Sequence, residues 1–170
     1  MSADELSGPD LTHVVADAEA VGLEHVVIGG FGVIYHGHVR ATKHSDLLVL
    51  DGPQADEAIL RFLDRVDAVR LSDGKRLTQE DVADAQHLRV DTRHGIVDIM
   101  RGGLPPLDYE TVAANAETVE LRGQSTRFAS LRSLVAFKRL ANRPIDRWDL
   151  QELEAIHGPL PIEPIPGLDS

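Results

Sequence analysis

The sequence contains no cysteine. Disulfides and thiolate metal sites are thereby excluded, and a reducing, cytoplasmic setting is expected. Aromatic residues are scarce at 4% of the chain, which argues against stacking platforms for single-stranded nucleic acid. No apolar run approaches the ~20 residues of a membrane-spanning helix, so no membrane partner is expected. The opening stretch MSADELSGPD is acidic and lacks a signal-peptide pattern. Positive charge is in deficit: 17 Lys and Arg stand against 28 Asp and Glu, a net charge of −11. A general nucleic-acid coat protein would show the opposite balance, although a local basic groove remains compatible with this one.

What is present suffices for one domain with a small helical appendage: 170 residues, 42% of them hydrophobic. Residues 1–10 read as a polar tail, 11–128 as an α/β core, 129–157 as a helical pair and 158–170 as a Pro-rich, extended tail. Apolar residues at helical spacing predict helices over Leu11–Val21 and Ala55–Val66. Shorter helices are expected over Phe31–His36 and Tyr109–Asn115, and a pair over Ser130–Asn142 and Ile145–Ile156, broken by Pro144. Strands are expected at His25–Ile28, Asp46–Leu50 and Ala68–Leu71, with hairpins over 87–100 and 118–128. The rest of 67–85 shows no clear element. Hairpins beside one strand–turn–helix unit predict an α+β fold, a mixed β-sheet flanked by helices with a C-terminal helical pair.

The segment VVIGGFGVIYHGHVRATKHSDLLVL, residues 26–50, carries the chemistry. Glycine lets a backbone approach a phosphate closely, so Gly29-Gly30 is either a phosphate-binding turn or a plain tight turn. Neither a P-loop nor a dinucleotide fingerprint is present. His44 and Asp46 lie two apart on a strand and so share a face, as metal ligands or as a solvated pair. Neutral imidazole suits Mn²⁺ or Zn²⁺ better than Mg²⁺. Asp98 sits inside the apolar run Ile96–Met100, a costly place for a carboxylate unless it is exposed, paired or metal-bound. Lys138 continues the apolar stripe of Leu131, Leu134 and Val135, and either reaches a phosphate or snorkels to water. Arg40, Thr42 and Lys43 precede the second strand and either meet triphosphate oxygens or are solvated. Arg139, Arg143 and Arg147 form a further basic group where an RNA acceptor is expected to meet the chain. The histidines match no zinc pattern.

Together Ile28-Gly29-Gly30, His36-Gly37, Arg40-Ala41-Thr42-Lys43, Asp46-Leu47-Leu48, Val97-Asp98-Ile99 and the late block SLRSLVAFKRLANRPIDRWDLQEL resemble the nucleotidyltransferase superfamily, with a polymerase-beta-like fold. The likeness runs from about residue 12 to 156. It is closer to small bacterial members related to abortive-infection type toxins and minimal nucleotidyltransferases. The resemblance implies transfer of a nucleoside monophosphate from an NTP to an RNA, protein or small-molecule acceptor, with Mg²⁺ or Mn²⁺. It makes Gly29 and Gly30 the phosphate turn, Asp46 the second, metal-holding acid, Asp98 the third acid, which completes the site and helps activate the acceptor, and Lys138 a nucleotide contact, with Arg40, Thr42 and Lys43 beside the phosphates. His44 stands in the first acid's place, and Ser45 is polar where an apolar residue is usual. The alternative implied by that departure is a degenerate member acting as a nucleotide-binding regulator or as one half of a toxin–antitoxin pair.

Overall fold

A computed structural model describes residues 8–169. Helix α1 (Leu11–Ala20) opens on Asp10, whose carboxylate accepts the backbone N–H of His13 at 3.2 Å, satisfying one of the free amides of the first turn. Most of the expected N-terminal tail falls on residues 1–7, outside the described residues. Strand β1 (His25–Ile28) is buried throughout and runs into α2 (Gly29–Tyr35). Then come β2 (His44–Val49), α3 (Pro53–Arg65), β3 (Val69–Arg70), α4 (Gln79–Ala83), β4 (His87–Thr92), β5 (Gly95–Arg101) and α5 (Tyr109–Ala114). The chain ends with β6 (Glu117–Leu121), β7 (Gln124–Phe128), α6 (Leu131–Ala141) and α7 (Pro144–His157).

The seven strands form one mixed sheet in the order β3-β4-β5-β2-β1-β7-β6. The pairs β2–β5 and β1–β7 are parallel and the other four antiparallel, as the hairpin pattern implied. Alternation along the strands divides the core in two. Val27, Leu47, Val49, Val97, Ile99 and Phe128 face the helices α1 and α3, where Val14, Val15, Ile59 and Phe62 complete the larger cluster. Val26, Ile28 and Leu48 face the other way, onto Tyr109 and Val112 of α5. Each such side chain, fully buried, contributes about 1.5–3 kcal/mol of transfer free energy. The second face is the thinner of the two, and Asp46 and Asp98 open onto it.

Four differences from the sequence reading follow, three from short-range chemistry and one from packing. The polar stretch before β4 contains α4, held by a capping box between Thr78 and Asp81 and by one buried apolar residue, Val82. Five residues with a single core contact give no periodicity to read. Helix α2 begins on Gly29 itself, and β2 begins at His44, which brings that residue into the ladder. The Pro-rich segment after α7 packs back: Ile165 is buried with Leu107 and Ala136.

Candidate active site

The end of β1 meets β2 with Ile28 opposite Asp46, so the chain leaving β1 passes directly over that carboxylate. Gly29 has φ +67, and a side chain there would overlap the Asp46 carboxylate. At Gly30 an added Cβ would lie 2.9 Å from Thr42 Cβ. Both glycines are therefore demanded by close approach, one also by its backbone conformation.

Strand β5 runs parallel to β2 with Asp98 in register with Asp46. His44, two residues before Asp46, points to the same face. Its Nδ1 lies 2.9 Å from Asp98 Oδ2 and 3.3 Å from Asp46 Oδ1, yet is directed at neither with hydrogen-bond geometry. One donor atom from each of the three residues falls within 4.8 Å of the others. Two residues that the sequence reading did not single out complete the cluster. His87 Nε2 lies 2.9 Å from Asp98 Oδ1, and Arg89 forks onto the same carboxylate, Nε at 2.8 Å and Nη2 at 3.2 Å. The signal for them was available: the tight turn at Arg93-His94 sets Arg89 opposite Asp98 across the hairpin.

Burial works against ionisation of Asp98, but the hydrogen bonds from Arg89 and His87 overcome it and hold the carboxyl below its ordinary value. Asp46 has no such cation clasp; burial pushes its carboxyl up despite the neighbouring His44. His44 is raised by its contact with Asp46, which outweighs its partial burial.

The wall opposite is built by α6, α7 and the segment before β2. Arg40 forks onto Asp149, Nε at 2.7 Å and Nη2 at 2.8 Å. Lys138 is buried between two carboxylates, 3.0 Å from Asp146 Oδ1 and 2.9 Å from Asp149 Oδ2. Arg143 donates to Asp146 through Nε at 2.7 Å and through its backbone N–H at 3.0 Å. Asp146 and Asp149 are wholly buried. Burial alone would raise their carboxyls; Arg143 and Lys138 at one, and Arg40 and Lys138 at the other, keep both below the ordinary value. Thr42 Oγ1 donates to His44 O at 3.3 Å. Lys43 is exposed and has no partner among the described residues.

These residues line one cleft of about 660 Å³. Its floor is Gly29, Gly30, His44, Asp46 and Asp98; its apolar side is Met100, Phe137, Ala141 and Ile145. Every sequence-predicted site residue lines it: Gly29, Gly30, Arg40, Thr42, Lys43, His44, Asp46, Asp98 and Lys138. Of Arg139, Arg143 and Arg147, only Arg143 lines the cleft. Arg139 is paired with Asp169, and Arg147 donates to Asn142 O at 2.7 Å. A larger open hollow of about 1020 Å³ beside α1, α2 and the β4–β5 turn contains none of the site residues.

An imidazole nitrogen and two carboxylates are a chemically suitable set for a divalent cation, and the buried Nδ1 without a directed hydrogen bond faces the same point as both acids. The set fits the divalent ion that the sequence resemblance implies.

No protein-family model and no curated protein sequence matches the chain. Solved structures do. The lincomycin-bound lincosamide antibiotic adenylyltransferase LnuA superposes with a TM-score of 0.59 at 14% identity, over 86% of this chain and 95% of that one. ANT(2″)-Ia in complex with adenylyl-2″-tobramycin gives 0.54 at 12% identity, over 85% and 83%. An antigenic nucleotidyltransferase-like protein from Paracoccidioides brasiliensis gives 0.54 at 17%, over 92% and 78%. With its seven-stranded mixed sheet superposing on these structures over most of its length, this chain has the nucleotidyltransferase fold.

Proposed function

We propose that the cleft binds a nucleoside triphosphate and transfers its nucleoside monophosphate to an acceptor hydroxyl. The observation that carries this reading is the convergence of His44, Asp46 and Asp98 directly beneath the Gly29-Gly30 turn. The acceptor oxygen bonds to the α-phosphorus as the bond to the β-phosphate oxygen breaks; pyrophosphate leaves and the hydroxyl proton passes to solvent water. A divalent ion held by His44, Asp46 and Asp98 would supply neutralisation of the charge on the triphosphate. Gly29 and Gly30 admit the phosphate chain close to the backbone, and Thr42 and Lys43 offer a hydroxyl and an unpaired ammonium beside it. Asp98, clasped by Arg89 and His87, stays ionised and suits a ligand's role better than a proton acceptor's.

Of the acceptor classes, a small molecule is favoured over RNA or protein. The structural neighbours were solved with lincomycin and with an adenylylated tobramycin. The arginines that would have met RNA are engaged within the chain. The test is to titrate each of the four NTPs with Mg²⁺ or Mn²⁺ by calorimetry against wild type and Asp46→Ala, then to follow pyrophosphate release with candidate hydroxyl acceptors. Binding lost in the variant supports the site; no binding under any condition removes the reading.

A second reading is favoured by one specific observation: Arg40, Lys138 and Arg143 are already paired with Asp149 and Asp146, leaving Lys43 as the one unpaired cation among the described residues that line the cleft beside the turn. On this reading the chain is a degenerate member that binds nucleotide without turnover and acts as a regulator or toxin–antitoxin partner. His44→Asp separates the two, since a variant that gains activity absent from wild type marks the natural protein as the degenerate form.

A further inference from the structure

We propose that His44, Asp46 and Asp98 form a mixed nitrogen–oxygen cation site, braced by His87 and Arg89, that takes Mn²⁺, Co²⁺ or Zn²⁺ in preference to Mg²⁺. The use of that ion in catalysis rests on the transferase reading; its binding does not.

The spacing of the donors is the first argument. Two ligands at ~2.1 Å from an ion and at right angles are about 3 Å apart. Nδ1 of His44 lies 2.9 Å from one carboxylate oxygen and 3.3 Å from the other. A nitrogen between two carboxylates would ordinarily turn its N–H onto one of them. This one is buried and meets neither with hydrogen-bond geometry. When the imidazole is neutral with its proton on Nε2, the Nδ1 lone pair and an oxygen of each acid can be offered to one point.

The second argument is how Asp98 divides its oxygens. Oδ1 takes His87 Nε2 and Arg89 Nε, whereas Oδ2 takes the longer Arg89 Nη2 contact, 3.2 Å, and faces His44. Carboxylate ligands are commonly oriented by such outer hydrogen bonds. Arg89 also removes one negative charge from the cluster, and His44 contributes none when neutral. Mg²⁺ depends on hard, charged oxygen donors and on several retained waters. Exchanging a carboxylate for imidazole weakens that ion and favours the borderline ones.

The experiment uses the full chain and the chloride salts alone. Dissociation constants for Mg²⁺, Mn²⁺ and Co²⁺ are measured by calorimetry, and Zn²⁺ is titrated while the imidazole ¹⁵N resonances are followed. The expected result is Mn²⁺ and Co²⁺ binding at least about tenfold tighter than Mg²⁺. Zn²⁺ shifts the Nδ1 resonance of His44 and leaves His13 and His157 unmoved. His44→Asp narrows or reverses the ion order. Mg²⁺ binding as tight as Mn²⁺ to wild type, or an unmoved His44 resonance, overturns the proposal. The wild-type ranking needs no variant to fold. Ion selectivity as expected with no NTP bound under any condition leaves the proposal standing and removes the transferase reading. The converse result does the reverse.

Discussion

Replacing Lys138 with methionine tests whether the ion lattice behind the cleft is structural. The ammonium is buried between Asp146 and Asp149, both with no exposed surface. Methionine keeps most of the apolar stem and removes only the charge. Taking one partner from a buried pair costs about 3–5 kcal/mol, because the other charge is left unpaired in a poorly solvated place. Here each carboxylate retains a guanidinium, Arg143 on Asp146 and Arg40 on Asp149, which puts the expected loss near the lower limit, about 3 kcal/mol. For a chain of this size each kcal/mol moves the midpoint by about 2–4 °C, so a fall of about 6–12 °C is expected. Differential scanning calorimetry at neutral pH reads it, with urea unfolding as a check on the slope. A fall below ~2 °C refutes the reasoning, because it would mean less than ~1 kcal/mol from a fully desolvated ion triad. A loss of NTP affinity with an unchanged midpoint would return Lys138 to the nucleotide contact that the resemblance implies.

Gly29→Ala is expected to abolish nucleotide and metal binding while the fold survives, since the methyl would displace the Asp46 carboxylate and the position has φ +67. The backbone contribution alone is about 1–2 kcal/mol, and normal metal binding by a folded Gly29→Ala protein would contradict the account of the turn. Acid will destabilise the protein through His25, whose imidazole is buried against Leu23 O and whose pKa burial lowers. Its folded value lies below the unfolded 6.5, so stability is complete above pH 6.5 and is lost as pH falls towards the folded value. His44 acts with the opposite sign: its raised value adds stability that is present below pH 6.5 and is lost as pH rises through the folded value. Urea unfolding of wild type and His25→Gln from pH 7.5 to 5 isolates the first effect, and equal slopes for the two proteins would remove it.

Much of the site could be read from local pattern. A period of two puts His44 and Asp46 on one face whatever the sheet around them, and an acid inside Ile96–Met100 had to be exposed, paired or bound. The hairpins, the long helices and the break at Pro144 follow from the same short-range rules, which is why the mixed sheet matched expectation. Helix α4 did not show, because a capping box and one buried valine leave no periodic signature. His87 and Arg89 were passed over because each reads as an outward polar residue until its strand is set against β5.

The sequence alone thus determined every element but α4, the Gly-Gly turn and the identity of the candidate donors, since these depend on residues within a few positions of each other. Only the tertiary structure decided what those groups face. Arg40 and Asp149 are 109 residues apart, and their contact exists because α7 packs against the segment that leads into β2. That packing turns Arg40 from a free cation into a neutralised one, the contact between α6 and α7 does the same for Lys138, and only Arg143 is paired locally, with Asp146 three residues on. The parallel register of β2 and β5 sets Asp46 beside Asp98 with the His44 nitrogen between them. Charge state and ligand geometry are properties of such long-range contacts, because Coulomb energy and coordination depend on distances that no local pattern encodes.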